Sequence, residues 1–258
     1  MENQFFGPAN RWFAQAFRAV LSQPLGIMLL IFFTVGSSSL ITMIPVIGRV
    51  SASVWNMFCA VLLFYGTRQA LHGEQVSFAS LTAVLKHRKL RLDVFTMGAM
   101  CAFLQAMLSL VIGWTLGPTL AEGLEMMQGG AAPEGGLTTP WLGIIISLAA
   151  TVPYLMATTF APALVADGGL TPGKSIFFSF FGSLRHWKPL LAVLFMLTAI
   201  EFMVAMSIAL ALAGGFSPML VAVLAPLPAI ISTLLLGTLL YPMYRDLFGM
   251  KHTHPELD

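Results

Sequence analysis

The sequence predicts an all-α membrane protein, a bundle of six transmembrane helices that forms a single integral membrane domain over residues 1–258. Its composition is the first reason. Of its residues, 57% are hydrophobic and only 9% are charged, whereas a soluble domain carries about a quarter charged residues. The second reason is that the apolar residues lie in runs of about 20, the length of helix that crosses a bilayer. Lipid cannot hydrogen-bond to the backbone, so such runs must be helical.

Six apolar runs are long enough to be membrane spans. The first and second are joined by a short turn around Pro45 and Gly48, and the fifth and sixth by the turn 214–218, so that each pair forms a helical hairpin. The first run is longer than a signal-peptide core, and we therefore expect it to be a span. The predicted spans cover residues 25–46, 50–67, 94–116, 140–166, 189–213 and 219–242.

The distribution of Lys and Arg predicts the orientation of the spans. Twelve of the 13 such residues flank the spans on one side, and Arg49 alone lies on the other. Because cytoplasmic loops are enriched in Lys and Arg, both termini are predicted to be cytoplasmic in a multi-pass protein of the bacterial inner membrane. Aromatic residues typical of the headgroup level mark the two borders: Trp114 and Trp141 the outer one, and Tyr65, Trp187, Tyr241 and Tyr244 the cytoplasmic one.

The cytoplasmic segments before the hairpins are predicted to be amphipathic helices that lie on the membrane surface. The segment 85–90 (LKHRKL) echoes 184–190 (LRHWKPL), so a unit of interfacial helix and hairpin is predicted to occur three times, about an axis along the membrane normal. Two of these helices have distinct faces. The first has Phe6, Trp12, Phe13, Phe17, Val20 and Leu21 at helical spacing, and the last has Phe177, Phe180, Phe181 and Leu184 opposite Ser175, Ser179 and Ser183.

Glu201 lies near the middle of span five, where a carboxylate is costly unless it is protonated, paired or hydrated. One interpretation is a proton-coupled or cation site that faces the interior of the bundle. The other is a protonated structural carboxyl that hydrogen-bonds to Gln105, Asn56 or Thr151 on another helix. The sequence leaves both interpretations open, and these four residues form the candidate intramembrane polar site.

The basic cluster Lys86, Arg88, Lys89 and Arg91, between spans two and three, is the predicted contact with anionic lipids. Each such charge near the membrane surface contributes about 1 kcal/mol to the attraction of anionic headgroups. The same cluster carries the orientation signal, so it indicates no preference for a particular lipid.

Four prolines inside predicted spans remove backbone donors and are expected to kink the helices. Broken helices can expose carbonyl groups to a substrate near the midplane. Neighbouring helices commonly satisfy the freed groups instead, and this packing interpretation is the one we favour. The prolines are Pro153 and Pro162 in span four, and Pro226 and Pro228 in span six.

No catalytic residue, cofactor or metal site is predicted. The sequence has no phosphate-binding loop, no HExxH motif and no GxSxG elbow. Cys59 and Cys101 lie in apolar runs and are expected to be buried thiols. Asp93 and Asp167 fall at cytoplasmic helix ends and are expected to be solvated. A net charge of +2 gives no indication of nucleic-acid binding.

Two segments resemble a family of bacterial membrane proteins, the BPSS-type family, whose activity is not established. Residues 39–74 are similar to its first hairpin, through the Ile-Pro-x-x-Gly turn at 44–48 and the short polar end before Glu74. Residues 160–194 are similar to its second landmark, in which a Pro-led helix follows a span and an x-W-x-P step enters the next one. The resemblance covers most of the chain. It implies a six-span inner-membrane protein of Gram-negative bacteria and implies no catalytic residue or cofactor.

The function that these observations favour is a non-enzymatic integral membrane protein acting through lipid or protein contacts. Its expected partners are membrane lipids and either another membrane protein or a second copy of the chain. The alternative is a small proton-coupled transporter or channel-like protein in which Glu201 protonates during the cycle. An intramembrane enzyme acting on a lipid ranks third.

Overall fold

The computed structural model describes residues 6–45, 47–77, 82, 86–127, 141–215, 217, 219 and 227–249. The regular secondary structure of these residues is entirely helical, which confirms the predicted all-α class. In chain order the principal helices are α1 (Gly7–Ser22), α2 (Pro24–Thr42), α3 (Gly48–His72), α4 (Arg88–Met127), α5 (Trp141–Thr158), α6 (Ala161–Ala166), α7 (Pro172–Arg185), α8 (Trp187–Ala213) and α9 (Leu227–Phe248).

Five helical segments are long and apolar enough to cross a membrane. They correspond to the first five predicted spans, although the second continues past residue 67 to His72. The predicted sixth span, 219–242, lies partly outside the described residues, and its portion from residue 227 onward belongs to α9. The five segments are Pro24–Thr42, Gly48–His72, Arg88–Leu116, Trp141–Ala166 and Trp187–Leu210.

The break between α1 and α2 is held by the segment that follows α3. Pro24 begins α2, where the missing N–H has no intrahelical partner to lose. Helix α3 ends at Gly73, whose φ of +78° is the left-handed conformation that commonly closes a helix. The residues after Gly73 contact Gln23. The side-chain amide of Gln23 donates to the carbonyl of Glu74 and accepts from the N–H of Val76 (2.7 Å). The beginning of the first hairpin is thereby tied to its end.

The fourth span consists of two helices, α5 and α6, with a break at Thr159 and Phe160. Pro162 has no N–H to donate to the carbonyl of Thr158, and its ring would collide with that carbonyl in a continuous helix. The chain therefore leaves the helix after Thr158 and resumes it at Ala161. Pro153, in contrast, lies inside α5.

The buried apolar core lies toward one end of the bundle, which we call the basal half: α1, residues 59–70 of α3, α6 and residues 235–244 of α9. Its largest fully buried side chains include Trp12, Phe64 and Tyr241. The other end, the distal half, contains mainly exposed apolar side chains such as Leu40 and Trp114. We define it as residues 37–42 of α2, 48–58 of α3, 103–116 of α4, 141–150 of α5 and 200–210 of α8.

Helices α1 and α7 present their faces differently. In α1, Trp12 and Phe13 are buried against the core, so this part of the apolar face contacts protein instead of the membrane surface, whereas Leu21 is exposed. In α7 the predicted serine face is fully buried and the aromatic face, including Phe177 and Phe181, points outward. The aromatic face of α7 is thus available to lipid.

Candidate functional site

An ion pair between Arg68 and Asp167 lies inside the basal half. Arg68 is one turn before the end of α3, and Asp167 directly follows α6. The guanidinium Nη1 donates to the carboxylate Oδ1 at 3.0 Å, and the Asp167 side chain is only 7% exposed. A charge removed from water is costly unless it is paired. The pair therefore favours one arrangement of α3 against the end of the broken fourth span.

Tyr65 makes a second link between the same elements. It lies near Arg68 on α3, and its hydroxyl donates to the backbone carbonyl of Ala166 at 2.9 Å. The last carbonyls of a helix have no intrahelical partner, so Tyr65 satisfies one of these groups at the end of α6. Both links fall on two consecutive residues, Ala166 and Asp167.

Two further polar residues are Tyr241 and Tyr244 of α9. We call these two tyrosines, together with Tyr65, Arg68 and Asp167, the basal polar cluster. Tyr241 and Tyr244 are three residues apart on one helix face, and their rings meet the ring of Phe64 edge-on at 5.3 and 5.2 Å. Both hydroxyls are buried without a hydrogen bond of good geometry to the described chain, although that of Tyr244 lies beside the carboxylate of Asp167. Burial, and after it the negative charge of Asp167, raises the pKa of Tyr244, so this hydroxyl stays neutral. Such groups are where an ordered water or a small polar molecule would gain hydrogen bonds.

A polar clamp joins α1 to the end of α9. The indole Nε1–H of Trp12 donates to Oδ2 of Asp246 at 2.8 Å, and Nη2 of Arg245 donates to the side-chain oxygen of Gln15 at 2.9 Å. Arg245 also lies 3.6 Å from the carboxylate of Asp246. Because Trp12 is otherwise buried among apolar residues, its indole N–H needs this acceptor. The clamp closes the basal half by joining the two ends of the described chain.

Serines of α7 bridge the break in the fourth span. The hydroxyl of Ser179 donates to the carbonyl of Met156 at 2.8 Å and accepts from the N–H of Phe160 at 3.1 Å. Ser183 also donates to the Met156 carbonyl, at 3.3 Å. In a continuous helix the Phe160 N–H and the Met156 carbonyl would bond to each other, so Ser179 is inserted into that missing bond. This agrees with the packing interpretation of Pro162.

The residues predicted to form an intramembrane polar site are distributed over several helices. Oδ1 of Asn56 accepts from the hydroxyl of Ser38 at 2.6 Å, which joins α3 to α2. Oε1 of Gln105 accepts from the hydroxyl of Ser53 at 2.6 Å, which joins α4 to α3. Thr151 is partly buried in α5. Two of the four candidate residues therefore serve as interhelical hydrogen-bonding groups.

Glu201 lies on an exposed face of α8, beside the exposed side chains of Phe202 and Met203. Among the described residues, α8 packs chiefly on α9, α1 and α7, none of which carries Asn56, Gln105 or Thr151. The main contacts of α8 are thus with helices other than those that carry the three predicted neighbours of Glu201.

The basic cluster is exposed at the beginning of α4. Lys86 precedes the helix, while Arg88, Lys89 and Arg91 occupy its first turn, and all four are exposed. Positive charges are unfavourable at a helix N-terminus, so the helix itself does not account for their position. Their contact with anionic lipids stays a prediction.

The basal polar cluster was not predicted from the sequence. Asp167 was expected to be solvated at a helix end, and this expectation is wrong because its side chain is buried against Arg68. Tyr65 and Tyr244 were assigned to the membrane border only as aromatic residues. The available signal was that Arg68 and Asp167 both follow long apolar runs on the same predicted side, but nothing in the sequence pairs them.

No family model, no curated protein and no solved structure matches this chain. The resemblance to the BPSS-type family accordingly stays a prediction.

Proposed function

We propose that this chain is a six-span protein of a bacterial inner membrane, with both termini cytoplasmic, that works without catalysis through contacts with lipids and with another membrane protein or a second copy. The observation that carries the proposal is the exposure of its apolar helices. In four of the five candidate spans only 17–22% of an 18-residue apolar stretch is buried, against 50% for α3. Helices this exposed have most of their surface available for contact.

The packing of α1 and α7 supports the proposed threefold repeat. Helix α7 packs on α5, the second long helix of the preceding hairpin, and α1 packs on α9, the second helix of the last one. The two interfacial helices that the structure describes thus contact the preceding hairpin if the three units are arranged in a closed ring. A parallel repeat about the membrane normal would produce this relation.

The position of Glu201 favours a protein contact over a transport path. Intramembrane polar groups commonly hydrogen-bond across helices. The exposed face of α8 that carries Glu201 is accessible to a second helix. A transport path would instead require Glu201 to face the interior of the bundle.

Self-association in vesicles tests this proposal. The full chain carrying a donor or an acceptor dye is reconstituted and diluted with lipid, and energy transfer is followed. We expect Glu201→Leu to change the lipid dilution at which energy transfer falls to half of its maximum. Thr198→Leu, one turn away on the exposed surface of the same helix, is the matched control and should leave it unchanged. Equal energy transfer for all three proteins at every dilution would contradict a role for Glu201 in self-association.

Proton flux separates the proposal from the transporter alternative. Vesicles loaded with a pH-sensitive dye receive an imposed membrane potential, and we expect the rate of acidification to equal that of protein-free vesicles. A protein-dependent flux that disappears in Glu201→Gln would support the transporter. An infrared carboxyl band that titrates between about pH 5 and 8, the range of physiological switching, and vanishes in that variant would do the same.

A further inference from the structure

A groove of about 790 Å³ opens between α2, α3 and α4 and extends from the distal half along α4 to Phe95. Its walls are almost wholly apolar. The indole of Trp55 lies along it and is oriented by a hydrogen bond from Nε1–H to the hydroxyl of Ser37 at 2.7 Å. The lining includes Ile41, Val50, Val54, Phe58, Phe95 and Phe103.

The groove exists because small residues on α4 face larger ones on α3. At Gly98 the two helices meet so closely that an added Cβ would lie 2.8 Å from the Cα of Val54. Beside this contact, Ala99, Ala102 and Ala106 leave space that a larger side chain would fill. The close contact and the three alanines together form the groove, which runs along the helices.

The length of the groove indicates its occupant. On α3 it extends from Val50 to Phe58, about 12 Å at 1.5 Å per residue. The hydrocarbon of one leaflet is about 15 Å deep, half of a bilayer core of about 30 Å. A transmembrane helix from a partner would need a surface about twice as long. The groove therefore matches an acyl chain of one leaflet.

Charge at the end of the groove indicates the headgroup. Arg49 immediately precedes Val50 and is exposed, and it is the one Lys or Arg of the sequence predicted on this side of the membrane. We infer that the groove binds an anionic phospholipid, with an acyl chain along Trp55 and the phosphate at Arg49. This inference rests on the proposed membrane-spanning arrangement. The groove lies on helices that do not carry Glu201, and its end at Phe95 is one turn along α4 from Arg91.

Quenching of Trp55 by brominated lipid tests the site. The full chain is reconstituted into phosphatidylcholine vesicles that contain increasing mole fractions of brominated phosphatidylglycerol. The contribution of Trp55 is the difference between the wild-type protein and Trp55→Phe. We expect Arg49→Gln to require an about five-fold higher mole fraction for half-maximal quenching, from the loss of one charge near the surface. Arg49→Lys should retain the wild-type value.

Groove-filling variants provide the second readout. Ala99→Phe should abolish the selective quenching of Trp55, whereas Ala149→Phe, at an exposed alanine of α5 outside the groove, should not. Equal quenching by brominated phosphatidylglycerol and brominated phosphatidylcholine, unaffected by Ala99→Phe, would overturn the inference. Trp55 that stays shielded at every mole fraction while the protein self-associates would also overturn it, since a protein helix would then cover the groove.

Flotation of the same vesicles distinguishes failure of the proposed membrane function from failure of the proposed phospholipid site. If the protein does not float with the vesicles, the proposed membrane function itself fails. If it floats and Trp55 shows no preference for the anionic lipid, only the phospholipid site is excluded.

Discussion

The basal and distal halves of this molecule share the long helix α3 and differ in how the other helices pack around it. In the basal half, α1, α3, α6 and α9 bury a shared core, and an ion pair and side-chain hydrogen bonds link these helices. In the distal half α8 exposes Phe202 and Met203, and α2 and α4 expose Leu40 and Leu110. Apolar side chains are abundant in both. The hydrophobicity of a segment in a membrane protein therefore does not reveal whether it contacts lipid or protein.

Polar groups account for much of the difference between the halves. Lipid is as apolar as a leucine side chain, so apolar contact alone gives helices little reason to associate in a membrane. The basal half has an ion pair, a tyrosine bond and the Trp12–Asp246 clamp, each between separate helices. The distal half has hydrogen bonds between neutral side chains, such as Ser53 to Gln105 and Trp55 to Ser37. Substitutions in the two halves should therefore differ in their effect on stability.

The largest effect is expected for Arg68→Ala in the basal half. Removing the guanidinium takes away the ion-pair partner of the buried Asp167 carboxylate, which should lower the free energy of unfolding by about 3 kcal/mol. Unfolding is measured by titration with a denaturing detergent in mixed micelles. The double variant Arg68→Ala with Asp167→Ala should recover part of the lost stability. If the single variant has the wild-type free energy of unfolding, the ion pair does not stabilise the basal half.

Two glycines of α4 provide the next comparison. Gly98→Ala places a Cβ 2.8 Å from the backbone of Val54 and must push α3 and α4 apart, at a cost of about 2 kcal/mol. Gly113→Ala meets no atom within 4 Å and should instead stabilise the helix by about 0.5 kcal/mol. The same unfolding titration applies. Equal effects of the two substitutions would contradict the close contact at Gly98.

A smaller loss is expected when the bridge across the helix break is removed. Ser179→Ala leaves the Phe160 N–H without its acceptor and should cost about 1–2 kcal/mol. Ser207→Ala in the distal part of α8 removes an exposed hydroxyl that bonds only to its own helix, at Met203, and should change stability little. Hydrogen exchange at the Phe160 amide should accelerate in the first variant alone. Unchanged exchange there would rule out Ser179 as its acceptor.

The smallest effect is expected in the distal half. Ser53→Ala removes the bond to Gln105, and interhelical hydrogen bonds in membranes contribute about 0.6 kcal/mol on average. Unfolding titration against wild type measures this difference. A loss as large as that of Arg68→Ala would show that the distal half also depends on its polar groups, and would remove the contrast between the halves.

The helices were predictable from the sequence and the site was not. Apolar runs of bilayer length define the helices because lipid leaves the backbone no other partner, and five of the predicted spans coincide with helices of suitable length and hydropathy. Glu201 was equally recognisable as an unusual residue. Its surroundings could not be predicted. Asn56 and Gln105 accept hydrogen bonds from serines on adjacent helices, and these partners depend on how the helices pack.

The sequence by itself determined the helical class, the approximate span boundaries and the two faces of α7, because these follow from composition and from periodicity along a single segment. Only the tertiary structure decided which face of α7 is buried, that Asp167 meets Arg68, and that Ser179 enters the break before Pro162. These features join residues distant along the chain. In a bilayer both faces of a helix can be apolar, so the order in which helices meet is set by a few polar and small residues whose partners appear only after packing.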